Sequence, residues 1–377
     1  MGTRSRGIAL APRFRYHSAT SDGMLVGSAD SSNVLPLRGR TLRGYLDCLG
    51  GDAEVSTKIQ ILELLERRRE ETLSGEHLAG LLGISRNAVW KAIQELRKDG
   101  YKIVAITNRG YCLSNENDIL SVQGLRPFLA DNICAENIHV YPSLDSTSKT
   151  AKEMAIAGAA HGTVVISDCQ TTGRGRYARD FFSPRGSGLY MSIILRPTHL
   201  HFENTTAVTA FAAVSVCEAI ELVSAKKPQI KWVNDIFMGG KKVCGILTEA
   251  VTDFESGHAQ WIVLGIGINV STRKEDFPHD LQEKAASIFP DERMPNMRNR
   301  LAADIINRVL GVSGKADEAD IFARYKSRLT GLGKEVTVAG NSGNAQATAI
   351  DIDDTGRLLL QKKNGEIIAL SSGEIHM

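Results

Sequence analysis

The sequence predicts an α+β protein with three folded units: a winged helix-turn-helix, a larger mixed α/β domain and a small C-terminal all-β barrel. Three observations predict it. Short apolar helical repeats, punctuated by Ser and Gly, fill residues 56–113. Strand-like runs mix with long helical stretches over 135–330. Past 331, short strands alternate with tight turns. The chain has 377 residues, enough for two or three domains. The expected boundaries are 1–54, 55–115, 116–330 and 331–377.

Residues 1–54 carry many Gly, Ser and Arg with little periodicity and read as a disordered extension. Their Arg- and Ser-rich start also fits an organellar transit peptide. A plain tail, or extra residues from a start codon placed too early, is the simpler reading. The first helix is expected over Thr57–Arg68, with Ile61, Leu62, Leu64 and Leu65 on its apolar side. Ser74 is placed to cap a second helix carrying Leu78, Leu81 and Leu82, which Gly83 ends. Ser85 caps a third, whose Val89, Ile93 and Leu96 repeat at i, i+4 and i+7 until Gly100 stops it. Strands over Tyr101–Ile106 and Tyr111–Leu113 then flank a turn at Asn108-Arg109-Gly110. A short helix near Ser121–Leu129 forms the connector.

In the middle domain, strands are expected at Ile138–Tyr141, Gly162–Ser167, Leu189–Leu195, Gln229–Val233, Val243–Ala250 and Trp261–Asn269, with helices over Thr205–Val223 and Arg298–Leu310. The last unit reads as strands Glu335–Val338, Ala345–Ile352, Arg357–Gln361 and Ile367–Leu370. Asp354-Thr355-Gly356 and Asn364-Gly365 supply hairpin turns.

Composition narrows the function classes. The net charge of +2 does not mark a nucleic-acid binder, so such a role needs a local patch. Cys48, Cys112, Cys134, Cys169, Cys217 and Cys244 are scattered without a C-x-x-C pair. Neither a zinc site nor a disulfide framework is expected, and free thiols suit a reducing cytoplasm. No run reaches the roughly 18 consecutive apolar residues of a membrane-spanning helix, and no membrane partner is expected.

Two short helices joined through Gly83 form the skeleton of a DNA-reading unit, whose second helix enters the major groove. Arg86, Asn87, Trp90, Lys91, Gln94 and Arg97 lie off the apolar stripe of that helix, and Arg109 at the tip of the wing is placed for phosphate. Arg suits guanine and Asn adenine, each bidentate. Residues 56–113 hold ten Lys and Arg against seven Asp and Glu, weak support on its own. A three-helix protein-interaction module is the alternative.

In the middle domain, Gly173-Arg174-Gly175-Arg176-Tyr177-Ala178 matches the loose dinucleotide pattern G-x-G-x-x-A. That reading needs a helix to open there, and Phe181-Phe182-Ser183-Pro184-Arg185-Gly186 follows instead. What remains is a glycine-flexible loop with closely spaced arginines, suited to fold around phosphate or carboxylate. Asp145-Ser146-Thr147-Ser148, Gln170, Lys231-Trp232-Val233-Asn234-Asp235, Lys241-Lys242-Val243-Cys244-Gly245-Ile246-Leu247 and Gly265-Ile266-Gly267-Ile268-Asn269 add hydroxyls, an amide, cations and glycines for close approach. Each has a bland explanation, as a helix cap, a solvated hairpin or a strand crossing. Their joint occurrence does not.

Together with the helix-turn-helix segment, and in this order and spacing over residues 56–377, these segments resemble the bifunctional biotin–protein ligase and biotin-operon repressor family. The resemblance implies a catalytic domain of the biotin/lipoate ligase type and a C-terminal SH3-like barrel. It implies that Ser146, Thr147 and Gln170 hold the biotin rings with Ser148 beside them. Arg174 and Arg176, with Gly175 between, close over the biotin carboxylate and the ATP phosphates. Lys242 bridges carboxylate and α-phosphate, and Asn269 contacts the adenylate. It further implies biotin and ATP as substrates, Mg²⁺ with the ATP, and no metal held by a dedicated protein cage. The implied partners are a biotin carboxyl carrier protein, operator DNA, and a second copy of the chain once biotinyl-AMP is bound. Three departures touch the edge of the site: Ser148 replaces the family's usual Asn, Val233 its usual Pro, and Phe181 its usual Trp. Alternatives are a biotin-sensing repressor without ligase activity, a lipoate–protein ligase, and a ligase that has lost DNA binding.

Overall fold

The computed structural model describes residues 56–376 except 198–204, 253–258, 292–294, 312–317 and 341–342. The extension expected over 1–54 lies outside the described residues.

Three helices build the first unit: α1 (Thr57–Arg67), α2 (Gly75–Leu82) and α3 (Arg86–Lys98). The starts of α2 and α3 are capped as the sequence predicts. Ser74 Oγ accepts the His77 amide at 3.0 Å and Ser85 Oγ the Ala88 amide at 3.1 Å, contacts each worth about 1 kcal/mol. Gly83 ends α2 at φ 65°, where a residue without Cβ is unstrained. Helix α3 packs on α1 and α2 and buries Val89, Ile93 and Leu96. The wing is the antiparallel pair β1 (Ile103–Ile106) and β2 (Gly110–Leu113). Leu73 and Tyr111 exchange two backbone hydrogen bonds of 2.8 Å, which strap the wing to the start of α2. A Cβ at Gly110 would fall 2.1 Å from the Leu73 carbonyl oxygen, so only glycine fits this crossing.

The connector carries α4 (Val122–Leu125), capped by Ser121. The middle unit then runs β3 (Ile138–Tyr141), α5 (Thr147–Ile156), β4 (Val164–Ser167), β5 (Gly188–Leu195), α6 (Thr205–Ser224), β6 (Gln229–Lys231), β7 (Asp235–Met238), β8 (Lys241–Thr252), β9 (Ala259–Asn269), α7 (Met297–Leu310), α8 (Glu318–Lys326) and β10 (Leu329–Thr330). Among the described residues the strands form one mixed sheet, ordered β10-β6-β7-β8-β9-β5-β4-β3. Its end pairs are parallel and the rest antiparallel. The strand expected over Gln229–Val233 stops at Lys231, because the chain turns through 232–234 and returns as β7. Helices α5 and α8 were not expected. α6 is long and apolar enough to cross a membrane, but most of it is buried against the sheet and other helices, as befits a core helix.

Period-2 alternation gives the sheet two different faces. One face, with Leu189, Met191, Ile193, Ile246, Leu264, Ile266 and Ile268, packs on α6 and α7 in the main core. On the other, Val165, Ile194 and Val263 pack under Ala151 and Ala155 of α5. Beyond the reach of α5, this second face presents Ser192, Gly245, Leu247, Gly265 and Gly267. Register sets Gly245 opposite Gly267, and Leu247 and Ser192 opposite Gly265. Bare sheet between a helix N-terminus and a loop makes the hollow that follows.

The C-terminal unit is an antiparallel sheet of β11 (Glu335–Gly340), β12 (Gly343–Ile352), β13 (Leu358–Gln361), β14 (Ile367–Leu370) and β15 (Glu374–His376), ordered β14-β13-β12-β11-β15. It is consistent with the SH3-like fold expected. Asp353 Oδ1 accepts the amides of Thr355 and Arg357 at 3.0 and 2.9 Å, fixing the first expected hairpin turn.

Candidate functional site

A cavity of about 160 Å³ opens on the second face of the sheet. Its floor is glycine. A Cβ at Gly265 would lie 2.6 Å from Ser148 Oγ, and one at Gly267 would lie 2.7 Å from the Phe181 ring. One wall is the N-terminus of α5, where the Thr147 amide donates to Gln170 Oε1 at 2.8 Å. Ser146 occupies the N-cap position without a side-chain capping bond, so Gln170 caps this helix from another segment. Hydroxyls continue the network: Thr147 Oγ1 donates to Gln170 at 3.2 Å, Ser192 to Thr147 at 2.9 Å, and Ser148 and Ser192 lie 3.2 Å apart. Gln170 Nε2 donates to Ser183 Oγ at 2.9 Å. The amide and hydroxyls thus hold one another in place, and their remaining valences suit a compact polar head group.

The opposite wall is cationic. Arg174, Arg176, Arg179, Lys231 and Lys242 line the cavity against two carboxylates, Asp180 and Asp235. Lys242 Nζ sits 2.7 Å from Asp235 Oδ1. That oxygen has no well-aligned hydrogen-bond donor, so the contact is chiefly one of charge. The lysine stem lies over Gly245, where a Cβ would come within 3.2 Å of Nζ. Arg176 donates to Asn234 Oδ1 at 3.1 Å and to the Gly373 carbonyl at 3.4 Å, which ties the loop to the C-terminal unit. The loop closes on itself through Gly175 N to Arg179 O (2.7 Å) and Phe181 N to Gly173 O (2.8 Å). Its left-handed residues are Tyr177 and Ala178, at φ 56° and 55°. The left-handed turn of the loop therefore falls on these two residues and not on its glycines. Gly173 is needed for space, since a Cβ there would meet the Phe181 carbonyl at 2.5 Å.

Of the residues expected in the site, the fold brings Thr147, Ser148, Gln170, Arg174, Gly175, Arg176 and Lys242 onto this cavity. It does not bring Ser146 and Asn269 to its surface. Both are buried, and Asn269 Nδ2 donates to the Ala286 carbonyl at 3.1 Å. The adjoining 284–286 segment grips the backbone of Lys242: Lys242 N donates to Lys284 O and Ala286 N to Lys242 O, each at 2.9 Å. Asn269 thus supports the segment that holds the lysine.

On the winged unit, Arg86, Asn87, Trp90 and Lys91 are exposed along one side of α3, with Gln94 half-buried behind them and Arg109 exposed at the tip of the wing. Trp90 is 52% exposed, a large apolar surface for a free helix face. Arg97 is placed differently. Its Nε and Nη2 both donate to the Ile103 carbonyl, at 3.1 and 2.7 Å, so it anchors the wing to α3.

Comparison with known proteins matches this arrangement unit by unit. A model of the biotin/lipoate A/B protein ligase family matches residues 140–269, an HTH domain model residues 57–112, and a biotin protein ligase C-terminal domain model residues 331–377. The chain is 35% identical over 312 residues to the bifunctional ligase/repressor BirA of Bacillus spizizenii, covering 81% of this chain and 94% of that protein. The chain belongs to the bifunctional biotin–protein ligase and repressor family. It is also 30% identical to the Escherichia coli BirA over 310 residues, 81% of this chain and 92% of that one. Among solved structures, the Aquifex aeolicus biotin protein ligase, in complex with biotin and ATP, aligns with a TM-score of 0.55 at 28% identity, covering 64% of this chain and 98% of that one.

For this member of the ligase/repressor family, the motif segments bring further residues to the cavity beyond those given a ligand role. Trp232 and Leu247 line it, Arg179 and Lys231 add cations, and Phe181 lays its ring over Gly245 and Gly267. The signal for Phe181 was present, since an aromatic follows the Arg-Gly loop directly. Its target on two different strands was not legible without the register.

The segment that grips Lys242 has its own electrostatic tie. The Glu283 carboxylate accepts from Lys274 and from Lys241, the latter at 3.0 Å, and these contacts pull it from 4.5 to about 2. A depressed carboxylate stabilises the fold above its unfolded value, and that contribution is lost as pH falls through about 2. A carboxylate-resolved NMR titration is expected to place Glu283 near 2, and Lys274→Ala should move it back toward 4.5. A midpoint already near 4.5 in the unaltered chain would show that the ties are not formed.

Proposed function

We propose that this chain uses ATP to activate biotin, transfers it to a lysine of a biotin carboxyl carrier protein, and acts as a biotin-dependent repressor. The observation that carries the reading is the meeting of Gln170, Arg174, Arg176 and Lys242 on one glycine-floored cavity. The ring end of biotin sits against Thr147, Ser148 and Gln170, and its carboxylate points to the cationic wall. There a biotin oxygen attacks the α-phosphorus of ATP and pyrophosphate leaves. Two anions must approach, so fixed cations where charge builds up lower the barrier. Lys242 leaves Asp235 to bridge carboxylate and α-phosphate, while Arg174 and Arg176 hold phosphate oxygens through planar forks. Mg²⁺ fits as the companion of ATP: such ions take one or two carboxylates plus phosphate oxygens, and Asp180 and Asp235 line the cavity. It would neutralise phosphate charge.

The 173–181 loop covers the mixed anhydride and keeps water from it. The acceptor amine, with an ordinary pKa of about 10.4, must lose its proton before it attacks the acyl carbon and expels AMP. Asp235, freed when Lys242 turns to the phosphate, orients that amine. Asn269 acts by holding the segment that grips the backbone of Lys242. When carrier is saturated, the retained adenylate favours a homodimer, and two winged units then read paired half-sites of an operator in the cytoplasm. Arg86, Asn87, Trp90, Lys91 and Gln94 face DNA, with Arg109 on phosphate and Arg97 setting the angle of the wing.

Lipoate attachment is the competing reaction on this fold. Exchange of labelled pyrophosphate into ATP separates the two. Biotin is expected to support exchange and lipoate to leave it at background. Exchange with lipoate alone would replace this reading with the other.

A further inference from the structure

Between the winged unit and the cavity lies a buried arginine that the ligase chemistry does not use. Arg298, at the start of α7, is 4% exposed. Its backbone amide and Nε donate to the two carboxylate oxygens of Asp118 at 3.0 and 2.9 Å, and Nη2 reaches the Asp118 carbonyl. Nη1 donates to Asp168 Oδ1 at 2.6 Å and to the Gly188 carbonyl at 3.2 Å. One planar group therefore joins the connector, the segment after β4 and the start of β5.

Each carboxylate leads to a different unit. Asp168 stands two residues before Gln170, which caps α5 at the cavity. Asp118 follows Asn117, whose Oδ1 accepts the Lys102 amide at 2.7 Å and whose Nδ2 donates to the Lys102 carbonyl at 2.6 Å. Lys102 directly precedes the first wing strand. The Asn117 carbonyl also accepts from Arg69, just past α1, at 3.1 Å. Short backbone steps and part-buried hydrogen bonds thus link the biotin end of the cavity, through Arg298, to the base of the wing. Burial pushes the Asp118 carboxyl above its ordinary range despite Arg298, so this charge depends on the grip.

Resting on the assignment of the cavity to biotin and ATP, we propose that Arg298 is a positioning residue that lets the winged unit sense occupancy of the cavity. When ligand fixes Gln170, Asp168 is fixed with it. Arg298 then tightens on Asp118, and the Asn117–Lys102 pair at the wing follows. A ligand can bias the wing only through such a differential contact.

Amide hydrogen exchange of the full chain, with and without biotin plus Mg-ATP, tests this directly. In the unaltered protein, ligand is expected to slow exchange over 165–181 and also over 100–118, the latter by about fivefold or more. In Asp118→Asn, slowing persists over 165–181 and vanishes over 100–118. Arg298→Lys keeps the charge but not the fork, and gives the same split if the asparagine variant does not fold. Slowing at 165–181 without any change at 100–118 in the unaltered chain overturns the proposal, as does full transmission through both variants. No change at 165–181 would instead overturn the ligand assignment, and the proposal with it.

Discussion

Replacing Lys242 with alanine is expected to lower biotin transfer by about 10²–10³-fold. The loss should appear in kcat of the adenylation step, because the lysine acts where carboxylate and α-phosphate charge meet, while biotin's ring contacts at Thr147, Ser148 and Gln170 remain. The alanine variant also leaves Asp235 Oδ1, already without an aligned donor, with no cation at 2.7 Å. Its charge then repels both anionic substrates, so the KM for ATP should rise as well. Lys242→Arg keeps the charge but brings a bulkier planar head over Gly245, where the space is set for a slender stem. It should recover part of the rate. Pre-steady-state adenylate formation measures the step, and unchanged kinetics in the alanine variant would remove Lys242 from the chemistry.

The second large effect is structural. Trp232→Ala is expected to cost about 3–5 kcal/mol of stability. Trp232 is 3% exposed, lines the cavity, and donates its Nε1 to the Gly356 carbonyl at 3.1 Å. It belongs to the 232–234 turn, which three other elements hold. Tyr325 OH donates to the Val233 carbonyl at 2.8 Å, Arg176 to Asn234, and Asn234 Nδ2 to the Ile246 carbonyl at 2.8 Å. Deleting the indole removes a cavity wall and frees the turn that carries Asn234 and Asp235. Denaturant unfolding followed by circular dichroism should show the shifted midpoint, with a raised KM for biotin in the folded fraction. Trp232→Phe keeps most of the buried surface and loses the hydrogen bond, so a smaller loss is expected. Equal losses in both would mean the Gly356 contact, not packing, dominates.

These sites show where sequence reading reaches and where it stops. Ser74, Ser85 and Gly83 announce the helix-turn-helix because caps and stops are local chemistry, decided within three residues. α5 escaped because its buried face is built on Ala151 and Ala155, small residues that leave no apolar stripe to count. β7 escaped because four residues after a turn look like the tail of β6. The Arg-Gly loop and Lys242 were legible as cation chemistry, and the family resemblance placed them. The glycine floor was not, since pairing Gly245 with Gly267 is a matter of register between β8 and β9. Arg97 shows the opposite error: off the apolar stripe by periodicity, its guanidinium is nonetheless spent on the Ile103 carbonyl.

The central claim is that one cavity both activates biotin and delivers it. Its most direct test is the transfer of labelled biotin to a biotin-carrier domain, with ATP and Mg²⁺, in the unaltered chain and in the Lys242→Ala and Arg174→Ala variants. The account predicts strong labelling of the carrier by the unaltered chain and depressed labelling by both variants. Tight biotin binding with no labelling of the carrier would contradict it, and would leave a sensor-repressor in place of a ligase.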